Sequence, residues 1–514
     1  MSETKEFSLE QARVNDDTSP GTGVHSGSAR ASQKLDRYLS LKPAVAFAMT
    51  VLSSWTGISL TIGGAFYNGG PTTIIWGTIL AGAGTLAIAA SLGELASITP
   101  VVGAQYRWTG LYAPPAMSPA FWSLVQGWLT IFSWIGLCAA VPFVSAQAVQ
   151  GLIILNSDTY VPERWHATLL MWAFLATPVL CNVFGRKLLK AVEITGGVLH
   201  IIFFIVVVTV LACMAQRSTA EFVFTESWFG ASGWESEGVQ WCLGLISITS
   251  VLTGFDGVLH LSDEISDAPV KVPRAMMLAV VINTVLSLGF LITLLFCIGD
   301  VEAALSTPTG FPTIQILYQA TGSKTGATII ECMILLSTMI ALFGVYASVS
   351  RLTWAFAKDN GLPFSEFFSR VHPTLHIPLN ALGLVTTISA LLGLINIGNT
   401  TAFFAILALA TMGLYLSYVF PLAFVLHRKL TGQHPPYGPF RLGIWSIPVN
   451  IIGLSFGIFI VIFLPFPTTI PVTAQNMNYA APILGAVMLG AVIDWFISGH
   501  KRFQVPTSMP EHYQ

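Results

Sequence analysis

From about residue 43 onward, apolar residues run in long charge-poor stretches separated by short polar or Pro/Gly-containing gaps, and these stretches are continuous rather than alternating. A helix crosses the roughly 30 Å hydrocarbon layer with about 20 apolar residues. Twelve stretches reach that length, at about 43–67, 71–93, 120–151, 166–184, 190–214, 242–262, 274–298, 327–349, 379–396, 402–426, 446–464 and 480–498. The absence of period-two alternation excludes a transmembrane β-barrel. The pattern predicts an all-α polytopic membrane protein with 12 transmembrane helices, occupying residues 42–500. The lead, 1–41, is rich in Ser, Thr, Gly and Asp and lacks a signal-peptide pattern, so it reads as a disordered cytosolic tail, with a second short tail at 501–514.

Composition agrees with that pattern: of 514 residues, 54% are hydrophobic and 9% charged, against about 25% charged in ordinary soluble proteins. A soluble enzyme, a disordered chain and a nucleic-acid binder are excluded. The net charge of -2 selects no partner, but the placement of the charges is informative. If the amino terminus is cytosolic, all the basic residues fall inside except Arg164, Arg217 and Lys324, as the positive-inside rule requires. The six cysteines lie in apolar stretches without metal-ligand spacing, so neither a metal site nor an organic cofactor is expected.

In lipid a helix is interrupted only where the freed backbone lines a cavity or is buried in protein. Two spans carry such interruptions in their composition. The first contains Ser53, Ser54, Trp55, Thr56 and Gly57, and the sixth contains Thr253, Gly254, Phe255, Asp256 and Gly257. Each sets glycine and hydroxyl residues beside one large aromatic, and the two correspond if spans 1–5 (about 43–214) and 6–10 (about 242–426) are repeats, with spans 11–12 (about 446–498) added. Amides freed at a half-helix amino end suit a carboxylate, and freed carbonyls suit an ammonium group. Close packing of small residues would produce similar composition.

Ionisable groups at membrane depth need a partner or a task. Asp256 stands in the second interruption, with His260 and Glu264 at i+4 and i+8, on one face of a resumed α-helix. The functional reading gives Asp256 to a substrate amine and lets His260 pass a proton toward the cytosol. A structural reading has Asp256 cap freed amides while His260 pairs with Glu264. Glu94 and Glu193 fall at inner span ends, facing cytosolic water as gate or packing groups, and Asp494 reads as structural. His200 lies roughly 15 Å into the fifth span, counting about 1.5 Å per residue from Lys190.

Several ordered motifs resemble the amino acid–polyamine–organocation superfamily, and within it the fungal amino acid/choline permease family, over about residues 40–500. They are Gly93-Glu94-Leu95-Ala96-Ser97 with Gly103-Ala104-Gln105-Tyr106-Arg107-Trp108, Phe255-Asp256 through Val272-Pro273-Arg274, and Arg351 through Pro363. Pro471-Val472-Thr473 and Asn476-Met477-Asn478-Tyr479 are similar to the choline and 4-aminobutyrate branch. The resemblance implies a leucine-transporter-type 5+5 inverted repeat plus two extra helices, alternating access around spans one and six, and ion-driven transport of small amine-bearing solutes across the plasma or another cell membrane. In proton-coupled members a span-five lysine replaces a sodium ion. His200 falls at that lysine's place by count, which makes it the candidate proton carrier, while Ser337 and Thr338 would serve a sodium ion.

Choline lacks N–H donors and would need aromatic faces beside a carboxylate, here Trp55 and Phe255 around Asp256, with Trp128 and Trp134 as further walls. An amino acid or 4-aminobutyrate would use the amides of Ser54 to Gly57 for its carboxylate and carbonyls of both interrupted spans for its ammonium group. The expected substrate-binding set is therefore Ser54, Trp55, Thr56, Gly57, Thr253, Gly254, Phe255 and Asp256, with His200, His260, Glu264 and Glu94 in coupling or gating. A choline-specific permease and a non-transporting nutrient sensor on the same scaffold are the alternatives. The expected partners are a small amine or amino acid and the lipid bilayer, without nucleic acid.

Overall fold

The structure, a computed structural model, describes residues 39–185, 189–473 and 476–505, with only the backbone of 400–407. The expected tails therefore lie outside the described residues, apart from 39–41 and 501–505. Among the described residues, twelve segments are long and apolar enough to cross a membrane. They are span 1 (Leu41–Thr61), span 2 (Gly70–Ile98), span 3 (Pro119–Asn156), span 4 (Arg164–Phe184), span 5 (Leu189–Met214), span 6 (Glu237–Glu264), span 7 (Ala268–Phe296), span 8 (Lys324–Lys358), span 9 (Leu379–Gly398), span 10 (Ala408–Leu430), span 11 (Gly443–Phe463) and span 12 (Ala480–Arg502). Spans 2, 3 and 8 run past their apolar stretches, and in spans 2 and 8 the polar residues of the extension, Glu94 and Arg351 among them, are buried. No β-strand occurs among the described residues, only isolated bridges between Leu39 and Ile265 and between Gly69 and Trp228.

Spans 1, 3, 6 and 10 are largely buried, whereas spans 5 and 12 present most of their surface outward. That outward surface is apolar, as lipid requires: Ile201, Ile202 and Ile205 on span 5 and Leu489, Ile493 and Phe496 on span 12 are exposed. Span 2 packs along span 7, span 3 along span 10, span 4 along span 9 and span 5 along span 8.

Both predicted interruptions are present. Span 1 is α-helical over Leu41–Leu52 and Ser54–Thr61, with Ser53 between them in the left-handed region (φ 35°, ψ 44°). For a residue with a Cβ that conformation costs about 1–2 kcal/mol, so the neighbourhood must hold it in place. Ser53 Oγ donates to the Thr50 carbonyl, the Ser54 amide donates to Asn283 Oδ1 at 2.8 Å, and Asn283 Nδ2 donates to the Met49 carbonyl at 3.2 Å. One asparagine of span 7 thus satisfies groups on both sides of the turn.

Span 6 is α-helical over Glu237–Ser250, turns at Gly254 (φ 103°), and resumes over Phe255–Glu264 as a 3-10 helix. Its 14 residues before the break at about 1.5 Å each, and ten after it at about 2.0 Å each, place the break near mid-depth. Ser54 Oγ donates to the Val251 carbonyl at 2.7 Å and joins the two breaks directly.

An even number of crossings brings Leu41 and the end of span 12 to one face, the terminal face. There a short helix, Ala104–Tyr112, connects spans 2 and 3. Arg107 makes a two-pronged contact with Asp359 (Nε to Oδ2 3.0 Å, Nη2 to Oδ1 3.1 Å), and Tyr106 donates to the same carboxylate at 2.7 Å. Burial, and secondly Asp359, hold the Tyr106 phenol well above its ordinary pKa, so it remains a donor. Arg351 pairs with Glu264 beneath this latch, and Leu39 bridges the end of span 6 through its amide to the Glu264 carbonyl at 3.0 Å. At the opposite face a cavity of about 710 Å³ opens between spans 1, 3, 6 and 10, lined by neutral residues only.

Candidate functional site

The 3-10 winding decides where the acidic groups of span 6 point. At about three residues per turn, i, i+4 and i+8 spread to three sides instead of sharing one. Asp256 turns into the bundle, whereas Glu264 turns to Arg351 of span 8, so the expected pairing of Glu264 with His260 does not form. His260 Nε2 stands 3.5 Å from Asp256 Oδ2, an ion-pair distance without hydrogen-bond alignment, and its ring meets Trp134 edge-on at 5.7 Å.

Asp256 is fully buried and gathers donors from three other parts of the chain. Gln105 Nε2 donates to Oδ2 at 2.5 Å, Trp134 Nε1 donates to Oδ2 at 3.3 Å, and Tyr418 Oη donates to Oδ1 at 2.5 Å. Phe255 lies against Tyr418 with ring centroids 5.0 Å apart. The carboxylate is therefore held by neutral donors inside an aromatic wall of Trp134, Tyr418 and Phe255. That combination suits a cation, because the charge is present but not cancelled by a protein cation of permanent charge.

Trp55 is not part of that wall. Its ring packs against His200 at 5.5 Å, Phe204 at 6.0 Å and Phe290 at 5.5 Å, on the side of spans 5 and 7. His200 donates or accepts through Nδ1 with Ser337 Oγ at 3.0 Å, and its Nε2 has no hydrogen-bond partner among the described residues. The other hydroxyl of that pair, Thr338 Oγ1, donates to the Ile334 carbonyl at 3.0 Å. Trp128 stacks on Phe132 at 5.4 Å, and of the two tryptophans expected as further walls Trp134 reaches Asp256.

The remaining residues of the expected set form the two turns. Thr56 Oγ1 donates to the Ser53 carbonyl at 2.8 Å, Thr253 Oγ1 donates to the Thr249 carbonyl at 3.3 Å, and Gly57 lies so close to span 6 that a Cβ there would stand 3.2 Å from Val251. The opposite-face cavity descends to Ser250 and Thr411, one turn before Thr253 and two turns before Tyr418, and Asp256 does not line it.

Two inner-end carboxylates depart from expectation. Glu94 is buried rather than water-facing: Lys429 Nζ donates to it at 2.6 Å, as do Ser446 Oγ at 2.7 Å and the Leu442 amide at 3.0 Å. The cause is span 10, which continues to Leu430 and carries Lys429 into the bundle, so this group fastens spans 2, 10 and 11 together. Glu193 is also buried and accepts from Thr50 Oγ1 at 2.5 Å. Asp494 pairs with Arg502 at 2.6 Å, the structural role expected of it. Sequence reading missed Gln105, Tyr418 and Asn283, although each is a polar side chain in an otherwise apolar or small-residue setting, the signal that singled out Asp256.

The amino acid permease family profile matches residues 39–489. The chain is 32% identical over 440 residues to a Macrophomina phaseolina protein provisionally named an amino acid/polyamine transporter, covering 85% of this chain and 96% of that one. It is 30% identical over 495 residues to the choline transporter of Saccharomyces cerevisiae, covering 96% and 87%. It is 27% identical over 488 residues to the GABA-specific permease of the same yeast, covering 93% and 84%.

Proposed function

Since this chain belongs to the amino acid permease family of the amino acid–polyamine–organocation superfamily, we propose that it imports a small amine-bearing solute by proton-coupled alternating access, with Asp256 taking the positive charge. The observation that carries this reading is Asp256 itself, a buried carboxylate at a helix break near mid-depth, held by neutral donors and walled by Trp134, Tyr418 and Phe255. A buried carboxylate costs several kcal/mol to maintain, and a site that accepts cations repeatedly is a reason to maintain it.

The substrate class is an amino acid, a 4-aminobutyrate-like solute or choline. In the first turn of the half-helix Ser54–Thr61 the Ser54 amide is held by Asn283 Oδ1 and the Gly57 amide by the Ser53 carbonyl, so the amides of Trp55 and Thr56 are the ones offered to a carboxylate. The aromatic wall favours a quaternary or tertiary ammonium group and supports choline as the second reading. The cavity above Ser250 and Thr411 is the approach from outside, and the Arg107–Asp359 and Arg351–Glu264 pairs close the cytosolic side. The packing of spans 2 with 7, 3 with 10, 4 with 9 and 5 with 8 is what an exchange of spans 1–5 with 6–10 would produce, which supports the 5+5 repeat. The protein is an integral membrane protein, and we assign it to the plasma membrane with both termini cytosolic.

His200 is the proposed proton carrier. It is buried, keeps one nitrogen unpartnered among the described residues, and touches Trp55 beside the span-1 break. Engagement of Ser337 by His200 and of Thr338 by its own backbone weighs against sodium there. The test is uptake of radiolabelled choline, 4-aminobutyrate and an amino acid panel by cells expressing the wild type or Asp256→Asn, at about pH 5 and about pH 7.5. Uptake that is faster in acid and lost in the variant is expected. Full uptake by the variant would remove Asp256 from the site, and absence of uptake by the wild type would favour a sensor.

A further inference from the structure

The donors that surround Asp256 differ in what else their elements do. Trp134 and Tyr418 sit within spans 3 and 10. Gln105 sits in the first turn of the Ala104–Tyr112 helix, whose next two residues, Tyr106 and Arg107, close the terminal face on Asp359. The same latch extends outward: the Tyr106 ring lies 5.0 Å from Phe356 and 6.5 Å from Phe503, while Arg502 donates to the Asn360 and Gly361 carbonyls at 3.0 Å each. A helix of nine residues, about 14 Å long, therefore holds the Asp256 carboxylate at one end and the closed gate one residue later.

We infer that Gln105 is the positioning residue that couples occupancy of Asp256 to release of the Arg107–Asp359 gate. The inference rests on the reading of Asp256 as the cation site. Oδ2 of Asp256 is shared by the Gln105 and Trp134 donors, with His260 near. An incoming ammonium group competes for that oxygen, and a charged partner outcompetes a neutral amide. Gln105 is fully buried, and its Oε1 already lacks a partner among the described residues. Once displaced, its amide is left wholly unpaired, which costs about 1–3 kcal/mol unless the helix moves. Movement of so short a helix carries Tyr106 and Arg107 away from Asp359, because all three residues are consecutive on it. Without substrate, the Gln105 contact returns the helix and the gate closes.

The test separates binding from gating. Gln105→Met keeps the volume and removes the donor, and Gln105→Asn keeps an amide but is one methylene too short to reach Asp256. Uptake and equilibrium binding of choline and of 4-aminobutyrate would be measured in each, together with labelling of Ser350→Cys, buried on span 8 beside Arg351, by a bulky thiol reagent from the terminal face in a cysteine-free background. In the parent, saturating substrate should raise labelling several-fold. In both Gln105 variants we expect maximal uptake to fall about tenfold, half-saturation to be unchanged or lower because a competitor has gone, and the labelling ratio to fall to about one. A substrate-dependent rise in labelling that survives in either variant overturns the coupling role. Asp256→Asn is run in parallel: unchanged substrate affinity there would overturn the assignment of the site and the coupling with it, whereas lost affinity there with wild-type gating in the Gln105 variants would overturn the coupling alone.

Discussion

In span 6 the backbone turns at Gly254, and both oxygens of Asp256 accept hydrogen bonds, so the spare polar atoms there belong to the groups around it, Gln105 Oε1 and the ring nitrogens of His260. In span 1 it turns at Ser53, and on both sides of the turn polar atoms of the neighbouring groups are under-satisfied: Trp55 Nε1, His200 Nε2 and Glu193 Oε1 lack partners among the described residues. The two segments share a composition of small and hydroxyl residues with one large aromatic, yet one presents a filled acceptor and the other a buried cluster with spare donors and acceptors. A filled acceptor responds only to a ligand that outcompetes its donors, which favours selectivity for a cation. Spare buried polar atoms respond to a proton, which needs no room. On the proposed reading, the solute meets one break and the coupling ion the neighbourhood of the other.

The sharpest way to break that comparison is Asp256→Asn. The change preserves shape and abolishes the charge that the cation needs, and a charge-assisted contact is worth about 1.5–3 kcal/mol. Uptake of any substrate identified should fall about 100-fold at every pH, with expression unaltered. Next in size is His200→Ala, which empties the other cluster. If protons drive import as proposed, the wild type should take up substrate roughly tenfold faster at about pH 5 than at about pH 7.5, and the variant's ratio should fall to about one. If the ratio were unchanged, His200 would be a packing residue and the division of labour between the breaks would fail.

Asn283→Ala probes the frame that both breaks share. It would orphan the buried Ser54 amide, at about 1–3 kcal/mol, and take one of two donors from the Met49 carbonyl, which keeps the Ser53 amide. Melting of the detergent-solubilised protein should drop by several degrees. The acid-to-neutral uptake ratio should hold, because Asn283 contacts neither cluster's ionisable groups. A changed ratio with unchanged melting would show that Asn283 belongs to the coupling machinery rather than to the backbone frame.

What was legible in the sequence follows the range of the interactions. Continuous apolar runs disclosed the twelve spans, and the glycine at 254 with serine and threonine around it disclosed the breaks, since these are local consequences of backbone satisfaction in lipid. Asp256 was visible because an acid in an apolar run is conspicuous. Of its donors Trp134 was expected beside it as an aromatic wall, but Gln105 and Tyr418 were not, because they come from separate segments and spacing along the chain carries no information about that convergence. The pairing of Glu264 with Arg351 was hidden by a change from 3.6 to about three residues per turn. Lys429 read as a loop charge because counting by side does not reveal that span 10 continues past it into contact with Glu94. Glu331 on span 8, buried with neither oxygen hydrogen-bonded to the described residues, attracted no notice in a span chosen for its apolar average.

The smallest effect is the most discriminating between the two breaks. Trp55→Phe keeps an aromatic ring against Phe204 and Phe290 and removes an indole N–H that has no partner among the described residues, so little is lost in either packing or hydrogen bonding. If Trp55 stood over the substrate cation, as its place in the span-1 break suggested, the weaker ring would raise half-saturation for choline by about fivefold, from the roughly 1 kcal/mol difference expected for a cation–π face. Because Trp55 lies instead against His200, half-saturation should change less than about twofold, whereas Trp134→Phe, which deletes a donor to Asp256 itself, should shift it by about fivefold. The pair of measurements reads the geometry directly: equal shifts would mean that both tryptophans share one site, and a shift confined to Trp134 would mean that the cation meets only the break in span 6.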